Sequence, residues 1–232
     1  MKITDNITML EIDTPAGFNY PTLIKDGNHL VLIDTSYPAQ AENLIKLIND
    51  TGNSIEQLTE IVLTHQDIDH VGCVPELLKF APKAKVIAYI EEVPYIDGSK
   101  LPIKVSDMMD NYDNLNEEQK AFLEKRKSDF EKINITVTQS LEDGEVLPIC
   151  GGIEVVTTPG HTPGNVSFFL HKDKIIIAGD AANIEEDKLI GPNPVFTRDM
   201  IVGQESFEKL KMIDAQGIIT HHCGYKELKD NL

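Results

Sequence analysis

Apolar residues fall in short runs broken by polar, glycine and proline positions, so the pattern speaks first for strands. Ile7 to Ile12, Leu23 to Lys25 and His29 to Asp34 predict strands, the last two joined by an Asp26-Gly27-Asn28 turn into a hairpin. Pro38 to Asp50 predicts a helix, with Ser36 as its cap, Pro38 in its first turn and Gly52 beyond its end. Ile61 to Thr64 predicts a buried strand that runs into His65, followed by a helix over Val71 to Phe80 and a strand over Lys85 to Tyr89. The second half repeats the theme: strands over Ile135 to Leu141, Ile153 to Thr157, Val166 to Leu170, Ile175 to Ala178 and Gly217 to Thr220. Turns at Asp143-Gly144 and His171-Lys172-Asp173 separate some of them, and Asp199 to Ile213 has helical spacing. Two β-rich halves, each followed by helices, predict an α/β fold of layered sheets with helices outside, as a single domain over 1–232.

Residues 91–134 interrupt that plan. Leu115, Phe122, Leu123, Phe130 and Ile133 recur at helix-compatible spacing, preceded by Tyr95, Met108, Met109 and Tyr112. A helical insertion is expected, and two readings stay open: a covering helix pair, or a lid over a pocket.

Composition narrows the function classes. The net charge of -17 opposes contact with nucleic-acid phosphate and anionic lipid, so neither nucleic acid nor membrane is an expected partner. The basic residues from Lys120 to Lys132 are interleaved with Glu124, Asp129 and Glu131, as on a solvated helix face. No apolar run approaches the roughly 18 residues that cross a membrane. The start of the chain carries Asp5, Glu11 and Asp13 and no apolar core of a secretory signal. Three cysteines, Cys73, Cys150 and Cys223, suit a reducing compartment, so a cytoplasmic location is expected.

The chemistry concentrates where strands end. His65-Gln66-Asp67-Ile68-Asp69-His70 puts four candidate metal ligands on one loop after an apolar strand. Imidazole and carboxylate are donors that zinc, iron and manganese accept. Thr158-Pro159-Gly160-His161-Thr162-Pro163-Gly164 is a sharp turn able to project His161 from a sheet edge. Asp180 follows Ile175 to Ala178, and His221-His222-Cys223-Gly224 follows Gly217 to Thr220. Five of the seven histidines thus sit just past apolar strands; His29 and His171 lie beside hairpin turns and read as surface residues. The chain shows no Ser-His or Cys-His nucleophile pattern.

In this order, His-x-Asp-x-Asp-His, then Pro-Gly-His, Gly-Asp and a last His before Gly, the sequence resembles the metallo-β-lactamase superfamily from about Ile7 to Gly224. The resemblance implies a four-layer αββα sandwich with a metal site at one edge between the sheets. It implies two divalent cations, zinc above all, in a superfamily that includes glyoxalase II-like thioesterases, lactonases, β-lactamases and phosphodiesterases. Carried over position by position, it implies a first metal at His65, Asp67 and His161, a second at Asp69, His70 and His222, and Asp180 bridging both. His222 is preferred to His221 because family members commonly have His, one small residue, then Gly. His221 is then expected to pack behind the site, and Cys223 to be a small packing residue.

Asp67 is the departure, since the family usually has a second His there. A carboxylate oxygen and the near imidazole nitrogen are equally far from Cβ, so the reach is kept. Asp67, Asp69 and Asp180 bring three negative charges against the three positive of two divalent ions and a hydroxide, a near-neutral core that favours manganese or iron. The expected activity is hydrolysis of a small ester, lactone or thioester by a metal-activated water, with Asp69 as the catalytic carboxylate that orients the nucleophile or moves its proton. Phosphoester hydrolysis is the first alternative. An iron redox protein is the second, because flavodiiron relatives carry a carboxylate at this position; they need an attached flavin domain, for which 232 residues leave no room. The partner expected is a small-molecule substrate, with Ile184 to Phe196 apolar enough to line its pocket. Assembly as a homodimer stays open.

Overall fold

In the computed structural model, which describes residues 1–133 and 135–228, the apolar runs assemble into two six-stranded sheets. The first half opens with β1 (Ile7–Met9), a small hairpin of β2 (Ile12–Thr14) and β3 (Gly17–Asn19), then β4 (Thr22–Asp26) and β5 (His29–Ile33). It continues through α1 (Ala41–Asp50), β6 (Glu60–Leu63), α2 (Ile68–Val71), α3 (Val74–Phe80) and β7 (Lys85–Tyr89). The insertion follows as α4 (Val93–Ile96), α5 (Ile103–Asp110) and α6 (Glu117–Lys132), and β8 (Gln139–Leu141) completes the sheet in the order β1-β4-β5-β6-β7-β8. The second half holds β9 (Val146–Leu147), β10 (Ile153–Thr157), β11 (Val166–Leu170), β12 (Ile175–Ile177), a hairpin of β13 (Asn183–Glu185) and β14 (Lys188–Ile190), α7 (Met200–Lys211), β15 (Gly217–Thr220) and β16 (Gly224–Glu227). Its sheet runs β16-β15-β12-β11-β10-β9.

Burial separates into three apolar layers, which make the expected αββα sandwich. Ile24, Val31, Ile33, Val62 and Ile87 of the first sheet pack against Val155, Val166, Phe168, Ile177 and Ile219 of the second. The outer face of the first sheet, with Leu30, Leu32, Ile61 and Leu63, is covered by Leu44, Ile48, Val74 and Leu77 of α1 and α3. The outer face of the second, with Val156, Ile176 and Ile218, is covered by Phe207 and Leu210 of α7. Each strand therefore needs apolar residues on both faces, which is why so many read as continuous apolar runs.

Several elements differ from the sequence reading, each for a tertiary reason. The single strand expected over Ile7 to Ile12 is two, because β1 pairs with β4 whereas β2 leaves the sheet to pair with β3. Ser36 does not cap the following helix: its hydroxyl donates to Asn19 Oδ1 at 2.8 Å, and the helix opens instead with a 3₁₀ turn over Pro38–Gln40. The helix expected over Val71 to Phe80 is broken at Gly72-Cys73, and α2 is thereby a separate turn carrying Asp69 and His70. Glycine is required at the break, since a Cβ at position 72 would lie 2.5 Å from the Pro38 ring and from the Ile68 carbonyl. Of the strand expected over Ile135 to Leu141, only Gln139–Leu141 joins the sheet. The insertion is helical as expected; position 134, its expected end, and the last four positions of the domain expected over 1–232 lie outside the described residues.

Strand direction sets the site. β5 and β6 are parallel, so Asp34 and Thr64 leave the first sheet at the same end. β10 and β12 are each antiparallel to β11, and β15 is parallel to β12, so the segments after all three leave the second sheet at one end. Every loop with a candidate ligand emerges from such an end.

Candidate metal centre

Thr64 closes β6 and is held by its neighbour strand: Asp34 Oδ1 accepts its backbone N–H (2.9 Å) and Asp34 Oδ2 accepts its hydroxyl (2.8 Å). This anchors the first turn of the His65–His70 loop. His65 is fully buried, its Nδ1 3.1 Å from the Thr64 hydroxyl. His70, on α2, donates from Nδ1 to Asp34 Oδ2 at 2.9 Å, which turns its Nε2 toward Asp180 Oδ1 at 3.4 Å. A carboxylate behind an imidazole fixes the tautomer and leaves the far nitrogen's lone pair available.

The other loops close around the same space. Gly160, with φ +134°, packs so tightly on α7 that a Cβ would lie 2.3 Å from Gly203 Cα, and the turn places His161 Nε2 3.3 Å from Asp180 Oδ2. His161 Nε2 is also 3.0 Å from Asp67 Oδ2, which lies 3.5 Å from His65 Nε2. His222 donates from Nδ1 to the Phe18 carbonyl (3.3 Å), leaving Nε2 at 3.4 Å from Asp69 Oδ2 and 3.3 Å from Asp180 Oδ1.

Two groups of three donors result, His65–His161–Asp180 and Asp69–His70–His222, each with its donor atoms within 4.8 Å of one another. Asp180 faces both groups. A third, Asp34–His70–His221, is of the same compactness but is a closed hydrogen-bond network. Asp34 is committed to Thr64 and His70, and His221 Nε2 donates to the Asp69 carbonyl at 3.1 Å. His222, whose side chain is 35% exposed, faces the two carboxylates; His221, at 2%, lies behind His70. Among the described residues, His65 Nε2, His70 Nε2 and Asp180 Oδ1 are buried and lack any hydrogen-bond partner. Unsatisfied buried polar atoms are costly, and here three of them converge from two loops, a set that fits a divalent cation.

The electrostatics show where negative charge gathers: against the cost of burial, Asp34 and Asp180 raise His70 well above its ordinary value. Burial, helped by the nearby His70, pushes His65 down to about 4, so its imidazole is neutral at physiological pH. Burial opposes ionisation of Asp180, yet His222, His161 and His70 hold its carboxyl well below the usual range. Burial likewise opposes protonation of His222, and Asp180 and Asp69 overcome it, raising this imidazole to about 9. The carboxylates thus concentrate negative potential on the converging atoms.

Four neighbours carry roles that the motifs do not assign. Asp34 follows an apolar strand just as Asp180 does, so the strand-end signal is present in the sequence. Glu92, 1% exposed, accepts from Gln66 N (2.9 Å), Gln66 Nε2 (2.9 Å) and the Thr162 hydroxyl (2.7 Å), clasping the two ligand loops to the start of α4. Tyr37 is half-buried nearby; burial first, then the negative charge of Asp69, push its phenol up to about 12, so it remains an O–H donor. Lys104, from α5, donates to Asp67 Oδ2 and lies 3.2 Å from His161 Nε2. Nothing in the local sequence marks it, because its place depends on how the insertion docks. α5 also meets the segment after β14: the Phe196 ring is 5.9 Å from Lys104 Nζ, and Arg198 pairs with Asp107 at 3.1 Å.

Comparison with known proteins places the chain in a family. A family model described as the metallo-beta-lactamase superfamily matches residues 14–222. The chain is 28% identical over 223 residues to the probable metallo-hydrolase YflN of Bacillus subtilis (strain 168), covering 89% of this chain and 80% of that protein. It is 29% identical over 138 residues to a hydroxyacylglutathione hydrolase of Prochlorococcus marinus, covering 59% of this chain and 38% of that protein. Among solved structures, a metallo-beta-lactamase family protein from Thermus thermophilus superposes with a TM-score of 0.77 at 21% identity, over 97% of this chain and 76% of that one.

Proposed function

The chain belongs to the metallo-beta-lactamase superfamily, and from that premise we propose that it is a metal-dependent hydrolase of small carboxylic thioesters, esters or lactones. The observation that carries the metal reading is the convergence of His65 Nε2, His70 Nε2 and Asp180 Oδ1, buried and unpartnered, on a space shared with His161, Asp69 and His222. Those six residues, with Asp67 beside them, are the donors from which a metal centre of one or two ions would be built; zinc is the expected ion, and the carboxylate at 67 also admits manganese or iron. Divalent ions bound there supply an acidified water and a Lewis acid for the carbonyl.

The chain's own groups do the rest. Asp69, 3.4 Å from His222 Nε2, orients the attacking water and accepts its proton. Asp34 holds His70, and Glu92 holds the two loops, so that the donors are set before substrate arrives. The insertion and the segment around Phe196 meet beside the site, in keeping with a lid. A carbonyl substrate is favoured over a phosphodiester by the hydroxyacylglutathione hydrolase relative and by the net charge of -17, which repels polyanions.

A panel of chromogenic thioesters, esters, lactones and phosphodiesters tests this. Turnover of a carbonyl substrate, lost on Asp69→Ala and His161→Ala in a folded protein, is expected. Turnover confined to the phosphodiesters, or none anywhere in the metal-loaded protein, contradicts it.

A further inference from the structure

The insertion reaches the site itself. Its α5 begins at Ile103, whose backbone N–H donates to Gln66 Oε1 at 2.7 Å, so the first turn is pinned to the loop that carries the ligands. That pin aims the next side chain, Lys104, inward. Its ammonium donates to Asp67 Oδ2 and lies 3.2 Å from His161 Nε2, with the Phe196 ring 5.9 Å away on the solvent side. His161 Nε2 and Asp67 Oδ2 are 3.0 Å apart, so a single cation on Lys104 engages both.

The exchange of His for Asp at position 67 and the lysine at 104 are chemically complementary. An imidazole at 67 would offer an ammonium no charge; a carboxylate offers one. A divalent ion bound by His161 and Asp67 would sit beside the ammonium on the same two largely buried side chains, and like charges held that close repel. On the other side, Asp69 and Asp180 bring two negative charges to His70 and His222, which one divalent ion balances.

We propose that Lys104 is a built-in cation of the centre: its ammonium takes the part of one of the two metal ions, beside Asp67 and His161, and the chain holds a single divalent ion at Asp69, His70, His222 and Asp180. This rests on the reading of the cluster as a metal centre. Under it, the insertion supplies a constituent of the active site, and the ammonium is a fixed hydrogen-bond donor for the substrate's carbonyl or carboxylate oxygen.

Metal content decides the matter without recourse to activity. The full chain is loaded with excess Zn²⁺, freed of unbound metal by gel filtration, and measured by elemental mass spectrometry against protein concentration. Wild type should carry about one ion per chain, and Lys104→Met, which keeps the stem and removes the charge, about two. Asp67→His, which removes the ammonium's partner and restores an imidazole donor, should also rise toward two, and it is read in the same way if Lys104→Met does not fold. Two ions in wild type, or one in both folded variants, overturns the proposal while leaving the metal-centre reading intact. No ion in wild type overturns both.

Discussion

Removing the Asp34 carboxylate should loosen His70 without deleting a group that faces substrate. Asp34 supports Thr64 through two hydrogen bonds and His70 through a third. Asp34→Ala is expected to lower metal affinity or turnover by about 10- to 100-fold, the usual scale for a carboxylate behind a ligating imidazole. A competition titration with a chromophoric chelator measures this; unchanged affinity would show that Asp34 only braces the strand. The two adjacent histidines should separate by kind of damage. His222→Ala removes a donor that faces Asp69 and Asp180, so metal binding and activity should fall with little loss of stability. His221→Ala removes a buried ring packed against His70, so the melting temperature should fall more than with His222→Ala. The reverse pattern would put His221 in the centre. Thiol chemistry gives an independent check on burial. Burial pushes the thiols of Cys73 and Cys150 up to about 12, whereas Cys223 is exposed. A thiol reagent at neutral pH should modify about one cysteine per chain quickly in the native protein and three after denaturation.

At the scale of elements, the clasp at Glu92 is the contact that joins insertion to core. Glu92→Ala strands three donors and should destabilise the fold by about 1–3 kcal/mol, whereas Glu92→Gln can still accept from Gln66 and pair with Thr162. Burial raises the Glu92 carboxyl above its ordinary value near 4.5. The folded state then holds its proton more tightly than the unfolded chain, so this residue's contribution falls as pH rises through about 4.5 toward the raised value. The stability of Glu92→Gln relative to wild type should therefore rise over that interval in denaturant melts at a series of pH values; a flat difference would mean that the carboxyl is not strained by burial. The same scale shows what is readable from sequence. β7, β10, β11 and β15 match their expected bounds because each is an apolar run buried on both faces and cut off by polar or glycine residues. The β2–β3 and β13–β14 hairpins and β16 leave no such mark: they are short, partly exposed, and exist through their pairing partners. The histidines and aspartates of the site are visible because each follows a strand. Lys104 is not, since a lysine in a charged helical insertion acquires its role only from docking.

For the molecule as a whole, metal should be a large part of stability. At a free-metal concentration of ~1,000 times Kd, binding to the folded state alone contributes about 4 kcal/mol. For a chain of this size that is a fall in melting temperature of roughly 8–16 °C on chelation. Calorimetry with and without chelator measures it, and coincident melts would mean that the site does not bind metal in solution. Among the described residues no helix is long and apolar enough to cross a membrane, and the net charge of -17 spreads a repulsive field toward anionic surfaces.

The central claim is that the gathered histidines and aspartates make a metal-dependent hydrolase. Its most direct test is the hydrolysis rate of one chromogenic thioester or lactone, followed through dialysis against chelator and then return of stoichiometric zinc, manganese or ferrous iron. The account predicts that hydrolysis falls to background in the chelated, still-folded protein and returns with at least one of the three metals. Full hydrolysis by protein shown to be metal-free would contradict it.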